Sequence, residues 1–327
     1  MTNSFAGRKI ILLCPTFYQY RNIIKSEIEN MGGEVYAFDE RPQKSSLFKV
    51  LLRLGFERLT GLAIDNYYNT IITNLEQEDV TDIFIVNAEA VNVSIINRMR
   101  SKFFKAKFTL YMWDSVKNKN KVKNIVDLFD EVYSFDPSDC ESDSRFKFEP
   151  LFYGHEYANE KANYHEDIEF SFIGSIHSDR VNIVFNVLES IGDGFVYLFS
   201  PSKLFTLLKC ITGKDRLRYL TNVKYQKMSI QEVSDIFSRS KCVLDINHPN
   251  QNGLTMRTFE VLGAGKKLIT TNENIKSYDF YNKKQVLIID RNNVSKSDVN
   301  AFINSDVHDY VVMDKYRIDN WIKRILA

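Results

Sequence analysis

The sequence predicts two doubly wound α/β domains facing each other across a ligand cleft, and three observations point there. Short, continuous apolar runs end in breakers, as strands buried on both faces of a parallel sheet do. Segments with apolar residues at helical spacing separate them, so the strand–helix–strand unit recurs. The alternation dissolves once, near residues 150–166, and then starts again. A chain of 327 residues is also long for one core and comfortable for two.

The elements follow in order. Lys9-Ile-Ile-Leu-Leu-Cys14 stops at Pro15 and reads as the first strand. Residues 20–31 carry Ile23, Ile24, Ile28 and Met31 on one helical face, and Gly32-Gly33 ends that helix. Strands are expected at 34–38, 82–86, 107–112 and 131–135, with helices at 93–102 and 121–129. After the polar, aromatic crossing, strands are expected at 169–174, 194–199, 222–225, 241–246, 267–271 and 285–289. Helices are expected at 181–191, from Ser229-Ile-Gln-Glu232 (a capping box) to about 238, at 255–262, and finally at 314–326. The expected division is a first domain over 1–153, a linker over 154–166 and a second domain over 167–310. The terminal segment, 311–327, is free to pack back on the first domain.

Composition excludes several classes. Lys and Arg total 43 against 42 for Asp and Glu. A net charge of +1 gives no support to nucleic-acid binding. Cys14, Cys140, Cys210 and Cys242 lack C-x-x-C spacing, which argues against a zinc site or a disulfide framework. No run approaches the ~20 apolar residues that cross a bilayer, and residues 1–9 do not form a signal peptide. The expected location is the cytoplasm, with the inner face of the cytoplasmic membrane as a peripheral docking place.

The most informative segment is Asn250-Gln-Asn252-Gly253-Leu254-Thr255-Met-Arg257-Thr-Phe-Glu260-Val-Leu-Gly-Ala-Gly265, followed by the strand at 267–271. It is a loop with a glycine entering a helix. A helix N-terminus offers unpaired N–H groups and partial positive charge, which suit a phosphate. Arg257 adds a planar, bidentate donor. Glu260, one turn further in, is placed to accept hydrogen bonds from vicinal ribose hydroxyls. An ordinary loop–helix–strand unit with a surface arginine and glutamate has the same spacing.

The segment resembles the donor-site signature of GT-B glycosyltransferases, with the glycine-bearing loop, the glutamate and a glycine five positions later, here Glu260 and Gly265. Gly-Leu-Thr-Met-Arg-Thr-Phe-Glu is closest to the bacterial capsular and lipopolysaccharide-biosynthesis and spore-maturation-like branch. The likeness extends more weakly over residues 108–290. It implies two Rossmann-like domains, a nucleotide-sugar donor whose ribose Glu260 binds, and a diphosphate received by Asn252, Gly253, Leu254, Thr255 and Arg257. In the retaining, glycogen-synthase-like families a second glutamate sits eight positions before the first, and Asn252 stands there. An amide is no carboxylate, so stereochemistry does not follow.

Phe172-Ile-Gly174-Ser-Ile-His177-Ser-Asp-Arg180 opens the second domain. Gly174 permits close backbone approach, and His177 and Arg180 are placed to face the diphosphate; alternatively, Arg180 pairs with a surface acid. Tyr111-Met-Trp113-Asp114 ends a strand, and ligands bind beyond the carboxyl ends of strands in open α/β sheets. Asp114 is therefore the first candidate for a general base, with Glu40, Glu89 and His155 as rivals, and an N-cap as its structural alternative. Five histidines, dispersed, and no D-x-D motif predict an enzyme with no metal and no cofactor. Two basic, amphipathic stretches, 44–58 and 203–218, fit either an anionic membrane surface or the solvated faces of packed helices.

The expected function is glycosyl transfer from a nucleotide sugar to a glycan or lipid-linked acceptor in bacterial surface polysaccharide biosynthesis. A nucleotide-sugar epimerase or hydrolase of the same fold, and a catalytically silent nucleotide-binding subunit, are the alternatives. A dehydrogenase is disfavoured because no glycine follows the first strand in Pro15-Thr-Phe-Tyr-Gln-Tyr-Arg21.

Overall fold

A computed structural model describes residues 3–16, 19–42, 48, 57–158, 165–177, 179–212, 223–249 and 251–327. The chain divides into two compact units: Met1–Pro150 with Ile318–Ala327, and Leu151–Arg317. The division falls three residues before the expected end of the first domain. Residues 151–158, expected partly as linker, belong to the second unit, where the Ser234 hydroxyl donates to the Glu156 carbonyl.

The first unit alternates β1 (Lys9–Leu13), α1 (Tyr20–Asn30), β2 (Glu34–Phe38), α2 (Glu57–Asn74), β3 (Asp82–Val86), α3 (Val93–Lys102), β4 (Lys107–Met112), β5 (Glu131–Ser134), α4 (Pro137–Ser142) and β6 (Lys147–Phe148). The sheet runs β2-β1-β3-β4-β5-β6, all parallel, so the strand order reverses between β1 and β3. β3 is buried along its whole length, as its apolar run requires. Residues 121–129 do not form the expected α-helix. Three short 3-10 turns span Val116–Asn118, Asn120–Asn124 and Val126–Leu128. Lys119, at φ −133° and ψ 44°, lies outside helical geometry and breaks the run, while Val116, Val122, Ile125 and Val126 still reach the core.

The second unit repeats the pattern with β7 (Ile168–Ser175), α5 (Arg180–Ile191), β8 (Phe195–Phe199), α6 (Lys203–Thr212), β9 (Val223–Lys224), α7 (Ile230–Arg239), β10 (Ser240–Asp245), α8 (Met256–Gly263), β11 (Lys267–Thr270), β12 (Val286–Ile288) and α9 (Lys296–Ile303). Its parallel sheet runs β12-β11-β10-β7-β8-β9, and the order reverses between β7 and β10. The capping box forms: Ser229 and Glu232 exchange side-chain-to-backbone hydrogen bonds at the start of α7. Gly265, at φ +66°, turns the chain out of α8 toward β11.

The expected terminal helix is split. A 3-10 turn, Asp314–Tyr316, is followed by extended Arg317, whose backbone bridges Tyr153, and then by α10 (Ile318–Ile325). α10 packs in the first unit, with the Trp321 ring edge-on to Tyr111 at 4.9 Å. Residues 44–56 of the first basic stretch, except Phe48, and 213–218 of the second lie outside the described residues. No helix among the described residues is long and apolar enough to cross a membrane.

Candidate functional site

In an open parallel sheet the crevice for ligands lies outside the carboxyl ends of the strands where the order reverses. In the second unit these are the ends of β7 and β10. β7 delivers Gly174 and His177; β10 delivers Asp245, Asn247 and His248. The rings of His177 and His248 stand 6.1 Å apart across that point. Arg180, at the start of α5, donates from Nε to the Ile246 carbonyl at 2.9 Å. Burial pushes its pKa down to about 10, with Asp245 opposing the shift and Arg257 and Arg291 adding to it. Three arginines therefore share one region, and Arg180 keeps its charge at neutral pH.

The loop into α8 is braced by amides. Asn272 Nδ2 donates to the carbonyls of Asn252 and Gly253 at 3.2 and 3.3 Å, and Asn274 Nδ2 to that of Asn252 at 3.0 Å. Asn247 Nδ2 holds the Gln251 carbonyl at 2.9 Å, and Gln251 Nε2 the Gly253 carbonyl at 3.0 Å. Asn252 is exposed and Leu254 buried, so Leu254 has only its backbone to offer a ligand. The Thr255 hydroxyl does not cap α8. It donates to Asp245 Oδ2 at 2.7 Å, as does Thr258. The first turn of α8 thus keeps backbone N–H groups without a side-chain cap, the arrangement that suits an anion.

Arg257 and Glu260 meet each other. Arg257 Nη1 donates to Glu260 Oε2 at 2.9 Å, Nη2 lies 3.3 Å from the Ile173 carbonyl, and the guanidinium covers the Phe237 ring at 4.6 Å. The Glu260 side chain is only 4% exposed. Gly174 owes its identity to packing: a Cβ there would stand 2.7 Å from the Phe172 ring.

The sequence reading missed Asp245, Asn247, His248 and Arg291. Arg291 binds Asp179 through Nη1 at 2.9 Å and the Asn247 carbonyl and side-chain oxygen through Nη2. The available signal was position alone, since Asp245 ends a buried strand and His248 follows it closely, as Asp114 follows β4.

No protein-family model matches the sequence, and no curated protein matches it. Solved structures do. A glycosyltransferase from Rickettsia africae aligns over 98% of this chain and 97% of its own at 10% identity, with a TM-score of 0.64. The fold is that of the GT-B glycosyltransferases. Sucrose-phosphate synthase from Thermosynechococcus elongatus covers 91% of this chain and 88% of its own at 9% identity and TM-score 0.58. The UDP-GlcNAc 2-epimerase of Methanocaldococcus jannaschii, in complex with UDP-GlcNAc and UDP, covers 97% and 98% at 11% identity and TM-score 0.53. At such identities the likeness is one of GT-B fold, and chemistry must be argued from side chains.

The first unit gathers the base candidates at its own reversal point, except His155, which sits exposed on a 3-10 turn of the second unit. Glu89 is clamped by Arg41 Nη1 at 2.9 Å and Lys119 Nζ at 2.7 Å. Lys119 also faces Asp114 at 3.8 Å, and Asn118 Nδ2 lies 3.3 Å from the same carboxylate. Asp114 caps no helix; Ser115 holds the cap position of the next turn. Glu40 is fully buried, and its Oε1 accepts the Ala90 N–H. Burial first, then the Glu89 charge, push its pKa up to about 7, against the Ala90 hydrogen bond. Asn87 and Ala88, at φ +74° and +37°, form a left-handed turn at the end of β3. For residues other than glycine such backbone costs about 1–3 kcal/mol each and clusters at functional sites. Among the described residues no group of three or more His, Cys, Asp or Glu side chains is placed to hold a metal ion.

Proposed function

We propose that the protein is a glycosyltransferase that moves a sugar from a nucleoside-diphosphate sugar to a glycan or lipid-linked acceptor in bacterial surface polysaccharide assembly. The observation that carries the reading is the second unit's reversal point, where Arg180, Arg257 and Arg291 adjoin a helix N-terminus with no side-chain cap. Such a site stabilises the charge that develops on a departing diphosphate. In this reading Arg180, Arg291, His177 and the loop over 252–255 receive the diphosphate. Glu260, held by Arg257, fixes the ribose. Phosphate charge is balanced by arginine and helix dipole, without a metal. The surface-polysaccharide context rests on the resemblance of residues 253–260.

The first unit supplies acceptor and base. Asp114, the most exposed of its candidate carboxylates, takes the proton from the attacking hydroxyl as the anomeric carbon–oxygen bond to the diphosphate breaks. A nucleotide-sugar epimerase or hydrolase is the second reading, favoured by the likeness to the archaeal epimerase. Sugar released into water, or epimerised, without an acceptor would select it. The exposed Leu204 and Leu207, beside Lys203 on α6, support docking to an anionic membrane. Flotation with phosphatidylglycerol vesicles at low salt tests that.

A thermal-shift panel of UDP, GDP, ADP, CMP and dTDP sugars tests the donor site, since a bound ligand stabilises by RT ln(1 + [L]/Kd). One nucleotide should stand out. Arg180→Ala, Arg257→Ala and Glu260→Ala should each weaken its binding about tenfold, the ~1.4 kcal/mol of a lost charged hydrogen bond. Unchanged affinity in all three, with the fold intact by circular dichroism, sinks the assignment.

A further inference from the structure

A buried acid at the second unit's reversal point works against the anion that the site is read to hold. Asp245 ends β10 and is 4% exposed. It lies near enough to Arg180 for its charge to oppose the effect of burial on that guanidinium. A carboxylate placed there repels a diphosphate, and more strongly than it would in water. Its presence therefore needs a reason of its own.

The reason lies in its partners. Asp245 Oδ2 accepts two hydroxyls, from Thr255 and from Thr258, each at 2.7 Å. Thr255 stands at the N-cap position of α8 with the extended backbone of a capping residue, φ −79° and ψ 161°. A threonine there ordinarily turns its hydroxyl oxygen back to accept a first-turn N–H, which puts that oxygen where an anion would bind. Held by Asp245, the Thr255 hydroxyl makes no such bond. A charge-assisted hydrogen bond is about twice as strong as a neutral one, so the carboxylate outcompetes the cap. Thr258, buried one turn further in, ties the same oxygen to the body of the helix. The loop ahead of Thr255 is fastened separately by the amides of Asn247 and Asn272, so losing Asp245 frees the Thr255 hydroxyl without releasing the loop.

We propose that Asp245 is a positioning residue of the donor site, which keeps the N-terminus of α8 uncapped for the diphosphate by holding the Thr255 and Thr258 hydroxyls away from it. The proposal rests on the reading of this site as one for a nucleotide-sugar donor. It adds that an acid which repels the ligand is nevertheless required for binding it.

The sign of a change in affinity decides the matter. UDP, GDP, ADP and dTDP are titrated into the full-length protein by calorimetry, and the tightest binder is used with the variants. Were Asp245 only a charge, Asp245→Ala would bind that nucleotide more tightly. It should instead bind at least about fivefold more weakly, the equivalent of the ~1 kcal/mol N-cap bond that the diphosphate must then displace. Asp245→Asn, neutral but still able to accept the hydroxyls through its amide oxygen, should bind more tightly than Asp245→Ala. Adding Thr255→Val to Asp245→Ala removes the competing oxygen and should restore most of the lost affinity, a rescue that simple damage to the fold would not give. Hydrogen exchange reads the same switch without ligand, since the first-turn amides of α8 should exchange more slowly in Asp245→Ala than in the wild type. Equal or tighter binding by Asp245→Ala, no rescue by Thr255→Val, or first-turn amides that are no slower each overturn the proposal. Should Asp245→Ala lose the wild-type circular dichroism, the exchange comparison is made on Asp245→Asn, whose weaker acceptor also lets Thr255 cap, and unchanged exchange there overturns it. A wild type that binds none of the four diphosphates overturns the donor reading and this proposal with it, whereas normal binding with any of the failures above overturns the proposal alone.

Discussion

Glu40 shows how one carboxyl can be read from its environment. It is packed against Tyr68, whose hydroxyl donates to the Glu40 carbonyl at 2.6 Å, and it faces the charges of Asp39, Glu89 and Arg41, with Cys14 and Tyr67 within electrostatic reach. Its pKa is raised from 4.5 to about 7. A carboxyl with a higher pKa in the folded than in the unfolded chain binds its proton more tightly when folded. Its contribution to stability is therefore complete below about pH 4.5 and is lost as pH rises through about 7. That span corresponds to roughly 3 kcal/mol. Urea unfolding followed by tryptophan fluorescence reports on the first unit, because Trp113 and Trp321 both lie there. The wild type should lose stability between pH 5 and 8 on this account, and Glu40→Gln should flatten that part of the slope and be the more stable protein at pH 8. A slope unchanged by the substitution would show that Glu40 is ionised throughout. Glu40 and Asp114 were legible in the sequence because each follows the carboxyl end of a strand. That Lys119 joins Glu89 to Asp114, or that Arg257 closes on Glu260, was not, because a pairing of side chains depends on where loops turn.

Elements were more legible than residues where burial is symmetrical. A parallel strand covered on both faces must be apolar throughout, and β1, β3, β4 and β10 announce themselves that way. Residues 116–128 mislead because apolar residues at helical spacing reach the core equally well from successive 3-10 turns. α10 is the element with the sharpest consequence. Ile318, Trp321, Ile322 and Ile325 are fully buried against the first unit. Trp321 Nε1 donates to the Pro150 carbonyl at 3.1 Å, and Arg324 forks onto Glu149 through Nε at 3.0 Å and Nη2 at 2.7 Å. Trp321→Ala should destabilise the first unit by about 3–5 kcal/mol, the range for removing a buried aromatic side chain. Urea unfolding followed by far-UV circular dichroism measures it, and a loss below about 1 kcal/mol would mean that the helix docks without contributing to the core.

At the scale of the whole molecule the two units differ in how the chain enters them. The second, Leu151–Arg317, is one continuous stretch with its own core, in which Phe170, Phe172, Val184, Leu244 and Ile269 are buried together. The first is assembled from both ends, because Ile318–Ala327 completes what Met1–Pro150 begins. Arg8 shows the closure: its Nη1 donates to the Leu326 carbonyl at 2.7 Å while the rest of its guanidinium holds the Asp82 carboxylate. A domain with a complete core folds alone, and one with its core left open does not. Expressed separately, residues 151–317 should be soluble, melt cooperatively and keep the nucleotide-induced thermal shift of the whole protein. Residues 1–150 should be unstable alone and recover a cooperative transition when residues 318–327 are rejoined through a glycine-rich linker after Pro150. Both fragments carry the relevant chemistry in this account: the arginines of the donor site in one, and Asp114 in the other. If the 151–317 fragment folds but no longer shifts with any nucleotide that shifts the whole chain, donor binding draws on residues outside the second unit. The arginine cluster at β7 and β10 would then be insufficient as a donor site.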